Sequence, residues 1–459
     1  MGRLLVLVAV LALAYPATAS AWTKQDGTTT MADGVTIATT LYLPSGPPPA
    51  GGWPAILMAH GLGDTRATTN ALAERLYVSR DYVVLTYDAR GHGASGGVVD
   101  VDGPAEVGDV KALFRELVER ADVSDGRVGG WGISYGGGAM LRAAGEGTAF
   151  GALNLFETWS DLYAALFPQN LPKSGVILGF LSSITRPSPL IASVRDAAVG
   201  GTNLAVLREA SAVRSSRSLL GSVSVPTFWA QGKRDYAFDL EQATSAFRLL
   251  RGPKRLWLGN LGHAPSAFAS DDFAAFSARG ADWYDRFLKG TPNGIDAGGN
   301  VEVAPTPYRE AGVRRYAGLP PTASLLLRPR FRARTIGAQG KVVAAAPALP
   351  RGVELFGSAS VNVTARARGR WPQLVAVLSS GQTVLATGGI PTPQLGTRPR
   401  KLTIRLSAWA APVAKGTRLT LTLAQTSTAQ DPGTPVYLLA KPAGRLTVTK
   451  VSLDVPVLR

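Results

Sequence analysis

The 459-residue chain contains no cysteine and only three histidines, His60, His92 and His263. Without cysteine it forms no disulfides and carries no lipid-anchored cysteine, so its stability rests on burial, which a chain of this size can supply. Three scattered histidines without thiolates do not assemble a zinc site, and no metal or cofactor is expected. Long apolar runs are scarce too. The longest occupies residues 4–14, short for a membrane span, and no later stretch reaches that length. It follows Arg3 and precedes Ala19-Ser20-Ala21, the order of an export signal cut after Ala21. Residues 1–21 are therefore expected to be removed and the mature chain to be secreted or held in the cell envelope, a retained N-terminal anchor being the alternative.

Acidic residues are sparse in one region. Residues 301–459 hold 22 Lys and Arg against 5 Asp and Glu, a charge of +17, so the other residues sum to −1 of the total +16. Such an excess can favour weak contact with an anionic envelope surface. It is equally the mark of a solvated, arginine-rich β surface. No helix-turn-helix, RNA-binding or zinc-finger pattern accompanies it, and export argues against a nucleic-acid partner.

What the chain does have is Gly132-Ile133-Ser134-Tyr135-Gly136-Gly137. Small residues two before and two after a serine let the backbone fold sharply from a strand into a helix, which lifts the hydroxyl out of a sheet. Arg127-Val128-Gly129-Gly130-Trp131 before it reads as a short buried strand, and Gly138-Ala139-Met140-Leu141 after it as a helix. A second Gly-x-Ser-x-Gly, Gly93-Ala94-Ser95-Gly96-Gly97, follows a loop and lacks a helical start. Ser134 is the candidate nucleophile.

A serine needs a general base, and imidazole suits that role near neutral pH. In the α/β-hydrolase order the base follows the serine and the acid along the chain, and only His263 lies after Ser134. The acid must orient and stabilise the imidazolium. Asp235 follows the apolar run 223–230 by the turn Gln231-Gly232-Lys233-Arg234, where the acid loop belongs. Asp239 is the alternative, although its place before Leu240-Glu241-Gln242 suits a helix N-cap. Two backbone amides are expected to receive a developing oxyanion, that of Tyr135 and that of Leu62 in the loop His60-Gly61-Leu62-Gly63-Asp64. His60 and His92 read as braces for their loops.

Apolar strand-like runs at 53–59, 82–87, 127–133, 151–156, 223–230 and 255–258 alternate with helical stretches at 67–79, 104–120, 135–145, 239–250 and 272–288. That alternation predicts an α/β domain with a mostly parallel sheet covered on both faces. Residues 157–222 break the rhythm and read as a helical cap. Trp159, Tyr163, Leu166, Phe167, Ile177, Leu178, Phe180 and Leu181 within it either line an acyl pocket or pack the cap itself. After a Gly- and Pro-rich linker at 289–300, alternating strands at 359–365, 374–378, 401–406, 418–423 and 446–453 predict a β-sandwich of jelly-roll type. The expected organisation is an export segment (1–21), an α/β-hydrolase domain (22–290, cap about 157–222) and a C-terminal β-sandwich (301–459).

With Asp88-Ala89-Arg90-Gly91-His92-Gly93-Ala94-Ser95-Gly96-Gly97, the Ser134 motif, Thr158-Trp159-Ser160-Asp161-Leu162-Tyr163 and the C-terminal strands, the chain resembles the X-prolyl dipeptidyl-peptidase and cocaine-esterase-like serine hydrolases. The resemblance implies a Ser-Asp-His hydrolase, with Ser134, Asp235 and His263 in those places. Where members of that family often present a tyrosine in the early oxyanion loop, this chain has His60-Gly61-Leu62-Gly63-Asp64. No residue stands out as an anchor for a free α-amino group. The first expectation is thus a serine esterase acting on small esters or amides. A dipeptidyl- or aminoacyl-peptidase with an acidic pair in its pocket comes second. Third is a non-catalytic envelope-binding scaffold, in which Ser134, Asp235 and His263 would not converge.

Overall fold

The computed structural model describes residues 22–263, 270–427, 436–438 and 443–459, so the expected export segment lies outside the described residues. Ten strands form the first sheet: β1 (Trp22–Thr30), β2 (Thr36–Pro44), β3 (Trp53–Ala59), β4 (Val83–Tyr87), β5 (Val123–Ile133), β6 (Ala152–Phe156), β7 (Thr227–Gly232), β8 (Lys254–Gly259), β9 (Val301–Val303) and β10 (Arg314–Tyr316). Their spatial order is β1-β2-β4-β3-β5-β6-β7-β8-β9-β10. From β4 through β9 all neighbours are parallel, and antiparallel pairs close both edges. Every residue of β4 and β6 is buried, the pattern of strands covered on both faces.

The helices are α1 (Arg66–Leu76), α2 (Pro104–Val118), α3 (Tyr135–Gly145), α4 (Leu162–Leu166), α5 (Ser174–Ser183), α6 (Pro189–Gly200), α7 (Leu204–Ala212), α8 (Leu240–Leu249) and α9 (Ser270–Leu288). Buried residues of α2, α3 and α8, such as Leu113, Met140 and Leu240, pack on one face of the sheet. Ala73 of α1 and Phe276, Trp283 and Tyr284 of α9 cover the other. Pro104 at the first turn of α2 and the Glu106 side chain, which accepts from the Gly103 amide at 2.9 Å, fix where that helix begins. Helices α4 to α7 form the cap.

Nine further strands build the C-terminal unit: β11 (Thr322–Leu327), β12 (Arg334–Gly337), β13 (Val342–Ala348), β14 (Val353–Arg368), β15 (Gln373–Ser380), β16 (Thr383–Pro391), β17 (Arg400–Val413), β18 (Arg418–Ala424) and β19 (Arg445–Leu458). One antiparallel sheet runs β11-β19-β14-β17, with β12 also on β19, and the other runs β13-β18-β15-β16. Alternate residues of β14, Val361, Val363, Ala365 and Ala367, are buried between the sheets with Leu421 and Leu423 of β18.

Two expectations need correction. Residues 301–316 contribute β9 and β10 to the first sheet, so the sandwich strands begin at Thr322 and not at 301. The short Val301–Val303 run pairs in parallel with β8, a contact that periodicity over three residues does not reveal. The strand expected at 223–230 starts at Thr227, because Pro226 has no N–H to give to a ladder. Strand β1 is almost wholly exposed and polar, so it gave no alternation to detect.

The sandwich holds the loop after β7. Ala410 donates its amide to Lys233 O at 2.8 Å, and the Trp409 indole donates to Asp235 O at 3.1 Å. The Trp409 ring packs edge-on against Tyr236 at 4.7 Å between centroids and is 1% exposed. Trp409→Ala should therefore cost about 3–5 kcal/mol in denaturant unfolding. Trp409→Phe, which loses the N–H and part of the ring volume, should cost less, about 1–3 kcal/mol.

Candidate active site

Ser134 sits between β5 and α3 with φ 53° and ψ −114°, a conformation that a non-glycine residue holds only under constraint. The neighbouring glycines make the turn possible. A Cβ on Gly132 would lie 2.3 Å from Gly136 O, and one on Gly136 would lie 2.4 Å from Ala59 O. The Gly136 amide donates to His60 O at 3.0 Å, drawing the turn against the loop after β3. Ser95, the serine of the other Gly-x-Ser-x-Gly, serves the structure instead. Its hydroxyl donates to Asp88 O at 2.6 Å and accepts from the Ala38 amide at 2.8 Å.

His263 follows β8, and its Nε2 lies 2.8 Å from Ser134 Oγ. Its Nδ1 lies 2.8 Å from Asp235 Oδ2, in the loop after β7. Asp235 is fully buried, and its Oδ1 accepts from the amides of Ala237 (2.8 Å) and Phe238 (3.0 Å). Gln231 Nε2 approaches Oδ2 at 3.3 Å. Phe238 and Phe180 present edges to the imidazole at 5.0 and 5.9 Å. The structure therefore brings together the three residues that the sequence put in order. Asp239 does not reach the imidazole. It caps α8 through the Glu241 amide at 3.1 Å and accepts from Ala408 of β17 at 2.9 Å.

The loop residues expected to receive an oxyanion flank the serine. A Cβ on Gly61 would stand 4.0 Å from that of Ser134. Among the described residues neither the Leu62 nor the Tyr135 amide has a protein acceptor, the latter being the first amide of α3. His60 and His92 brace this loop. His60 Nδ1 donates to Gly61 O (2.7 Å) while Nε2 accepts from the Ala89 amide (2.9 Å). His92 Nε2 accepts from Gly63 N at 3.1 Å. Burial holds both rings below the ordinary histidine value, His92 at about 4, so they stay neutral as acceptors. Arg90 of the same motif forks onto Asp109 of α2 at 2.8 and 2.6 Å.

Behind Tyr135 lies a buried acid cluster. The Tyr135 hydroxyl donates to Glu106 Oε1 at 2.8 Å. Burial pushes Glu106 up to about 7 and raises Asp102 well above the usual carboxylate value. Two groups that the sequence reading did not single out also adjoin the site. Lys173, at the start of α5, is buried and donates to Ala237 O at 3.0 Å, tying the cap to the acid loop. Glu157, read as the first residue of the cap, follows β6 directly and lies beside Asp235 and His263. Their ligand-type atoms lie within 4.8 Å of one another. By type these could take a cation, but Asp235 and His263 are already committed to each other and to Ser134.

A cavity of about 110 Å³ opens on Ser134 beneath the cap. Trp159, Leu166, Phe167, Ile177, Phe180 and Leu181 line it, whereas Leu178 is exposed and Tyr163 stacks on Phe167 from outside. No carboxylate is among its described lining residues. Arg214 at its wall is paired with Asp100 at 2.5 Å.

A sheet in this order, with a serine on the turn after β5 and a histidine after β8, defines a serine hydrolase of the α/β-hydrolase fold. Residues 33–265 match the X-Pro dipeptidyl-peptidase (S15) family, and the chain belongs to it. Its fold is shared with a CocE/NonD family hydrolase from Staphylococcus aureus, at 13% identity, TM-score 0.72, and 95% and 94% coverage of the two chains. An α-amino acid ester hydrolase is similar at 16% identity and TM-score 0.71, over 95% of this chain and 97% of that one. So is an aminopeptidase from a marine sediment Thaumarchaeota archaeon, at 14% identity and TM-score 0.67, over 96% and 97%. The quorum-quenching protein AidA of Acinetobacter baumannii (strain MDR-ZJ06) is 36% identical over 105 residues, 22% of this chain, which spans about a third (34%) of AidA.

Burial lowers the affinity of His263 for a proton, but the charge and hydrogen bond of Asp235 outweigh it and raise its pKa to about 9. A value above the unfolded 6.5 means that this group adds stability below pH 6.5 and loses it as pH rises through about 9. Nuclear magnetic resonance of the imidazole should show it titrating well above 6.5, and lower in Asp235→Asn, which removes the larger of the carboxylate contributions that raise it.

Proposed function

We propose that the protein is an exported serine esterase that cleaves esters of apolar acyl groups through Ser134, His263 and Asp235. In this reading Ser134 Oγ attacks the ester carbonyl carbon while its proton passes to Nε2 of the neutral form of His263, whose share grows as pH rises toward about 9. Asp235 holds the imidazole by Nδ1 and stabilises its charged form. The oxygen left negative is received by the amides of Leu62 and Tyr135. Collapse of the adduct expels the alcohol, which takes the proton from His263 and leaves an acyl-enzyme. Water then gives its proton to His263 and attacks the same carbon, and the acid departs as Ser134 regains its hydrogen.

The observation that carries the choice of substrate is the cavity at Ser134, whose described walls are mainly apolar, include Arg195 and Arg214, and hold no carboxylate. A peptidase that recognises a free α-amino group needs a negative charge facing it, because a buried ammonium without one is costly. The apolar wall suits an acyl chain instead. Convergence of Ser134, His263 and Asp235 at 2.8 Å contacts weighs against a non-catalytic scaffold. Export rests on residues 1–21, and weak contact of the basic C-terminal sandwich with an anionic envelope surface on its charge alone.

The mature chain should hydrolyse p-nitrophenyl butyrate and release little p-nitroaniline from alanyl-prolyl p-nitroanilide, with ester turnover about 10⁴-fold or more lower in Ser134→Ala. Strong anilide cleavage would place the enzyme in the peptidase branch. Narrowing the cavity with Leu181→Trp should cut kcat/KM for hexanoate esters about tenfold, roughly the worth of one or two buried methylenes. Acetate esters should be little affected.

A further inference from the structure

Glu157 is an expensive residue where it stands. It follows β6 directly, donates its amide to Ala230 O of β7 at 2.9 Å, and holds φ at 45°, in the left-handed region. Its side chain is 3% exposed, and Oε1 is buried without a hydrogen-bond partner among the described residues. An unsatisfied buried oxygen costs roughly 1–3 kcal/mol, and a non-glycine residue in the left-handed region costs about as much again. An apolar side chain of the same length would avoid the first cost. The carboxyl group is also aimed. Strands β6 and β7 are parallel neighbours paired at Phe156 and Ala230, so the residues just beyond their ends share one space. There a Glu157 oxygen, an Asp235 oxygen and a His263 ring nitrogen all lie within 4.8 Å of one another. Gly232 leaves room for it, since a Cβ there would stand 3.2 Å from Glu157 Oε1.

We propose that Glu157 is a positioning residue that serves His263 as a second carboxyl group, able to support the imidazolium when Asp235 cannot. The proposal rests on the reading of Ser134, His263 and Asp235 given above. With Asp235 ionised, burial and that neighbouring charge raise Glu157 to about 8, and His263 opposes them only in part. The charged groups facing the cluster are Asp235, His263 and, from α9, Asp272. The charge of Lys173 from the cap opposes protonation of His263. In the resting enzyme at neutral pH, Glu157 therefore keeps its proton and a second negative charge is avoided. As pH rises it loses that proton to solvent, and the new carboxylate strengthens the hold on the imidazolium. Replacing Asp235 by asparagine removes the repulsion, so Glu157 ionises more readily and supplies the missing charge from its own side of the ring.

The test is a double-mutant comparison on p-nitrophenyl butyrate with the full mature chain. Losing the triad carboxylate alone costs about 10⁴-fold in a serine hydrolase with no second acid. Here Asp235→Asn should lose only about 10²-fold, and adding Glu157→Gln should remove about another 10²-fold. Glu157→Gln alone should change kcat/KM little at pH 7, where Glu157 holds its proton, and abolish the inflection near pH 8 in the pH profile, which Glu157→Asp should partly restore. A double variant no slower than Asp235→Asn overturns the proposal, as does a pH profile of Glu157→Gln that keeps the inflection. Should Gln prevent folding, Glu157→Met at the same position gives the same comparison without charge. Failure of the underlying triad would appear separately, as ester turnover surviving in Ser134→Ala.

Discussion

The 2.8 Å hydrogen bond between His263 Nδ1 and Asp235 Oδ2 is the contact that the surrounding structure is arranged to keep. It joins two residues 28 apart in the chain, one after β7 and one after β8. The acid loop is held by the Ala237 and Phe238 amides turned onto Asp235, by Lys173 from the cap, and by Trp409 and Ala410 from the sandwich. Two backbone amides and the imidazole thus converge on one buried carboxylate. That charge in turn raises the proton affinity of His263 and opposes ionisation of Glu157.

This gives the C-terminal sandwich a role that its charge does not suggest. Its basic residues draw attention to its outer surface, yet its firmest link to the chemistry runs through β17, whose residues 408–410 grip the backbone and cap of the acid loop. The cap works similarly from the other side. Arg186 reaches the carbonyls of Gly91 and Ser95 at 3.1 and 2.7 Å, so the cap over the cavity at Ser134 is fastened to the loop that His92 ties to Gly63. The cap and the loop after β3 are thus parts of one network, and their relative placement is fixed by hydrogen bonds between segments far apart in sequence.

Much of the architecture was legible because parallel strands buried on both faces are written as apolar runs, and the turn at Ser134 demands glycine where side chains would collide. The order of Ser134, Asp235 and His263 followed from having one histidine after the serine. The edges were not legible: β1 is polar, and β9 and β10 have three residues each. Cap residues could not be sorted from the chain alone, since Phe180 in the cavity wall and Leu178 on the surface are two positions apart in one apolar helix.

Glu157 marks the limit of reading along the chain. By sequence it opens the cap segment, and nothing in Leu155-Phe156-Glu157-Thr158 announces a carboxyl group beside a histidine more than a hundred residues later. The sequence by itself determined the order of strands and helices, the sharp turn at Ser134 and the identity of its imidazole partner, because these depend on local sterics and on counting. Only the tertiary structure decided which acid meets that imidazole, which cap side chains face the substrate and which carboxyl groups share one low-dielectric space. Those outcomes depend on side-by-side pairing of β6, β7 and β8 and on the sandwich closing over the loop between them, and such long-range contacts leave no local pattern.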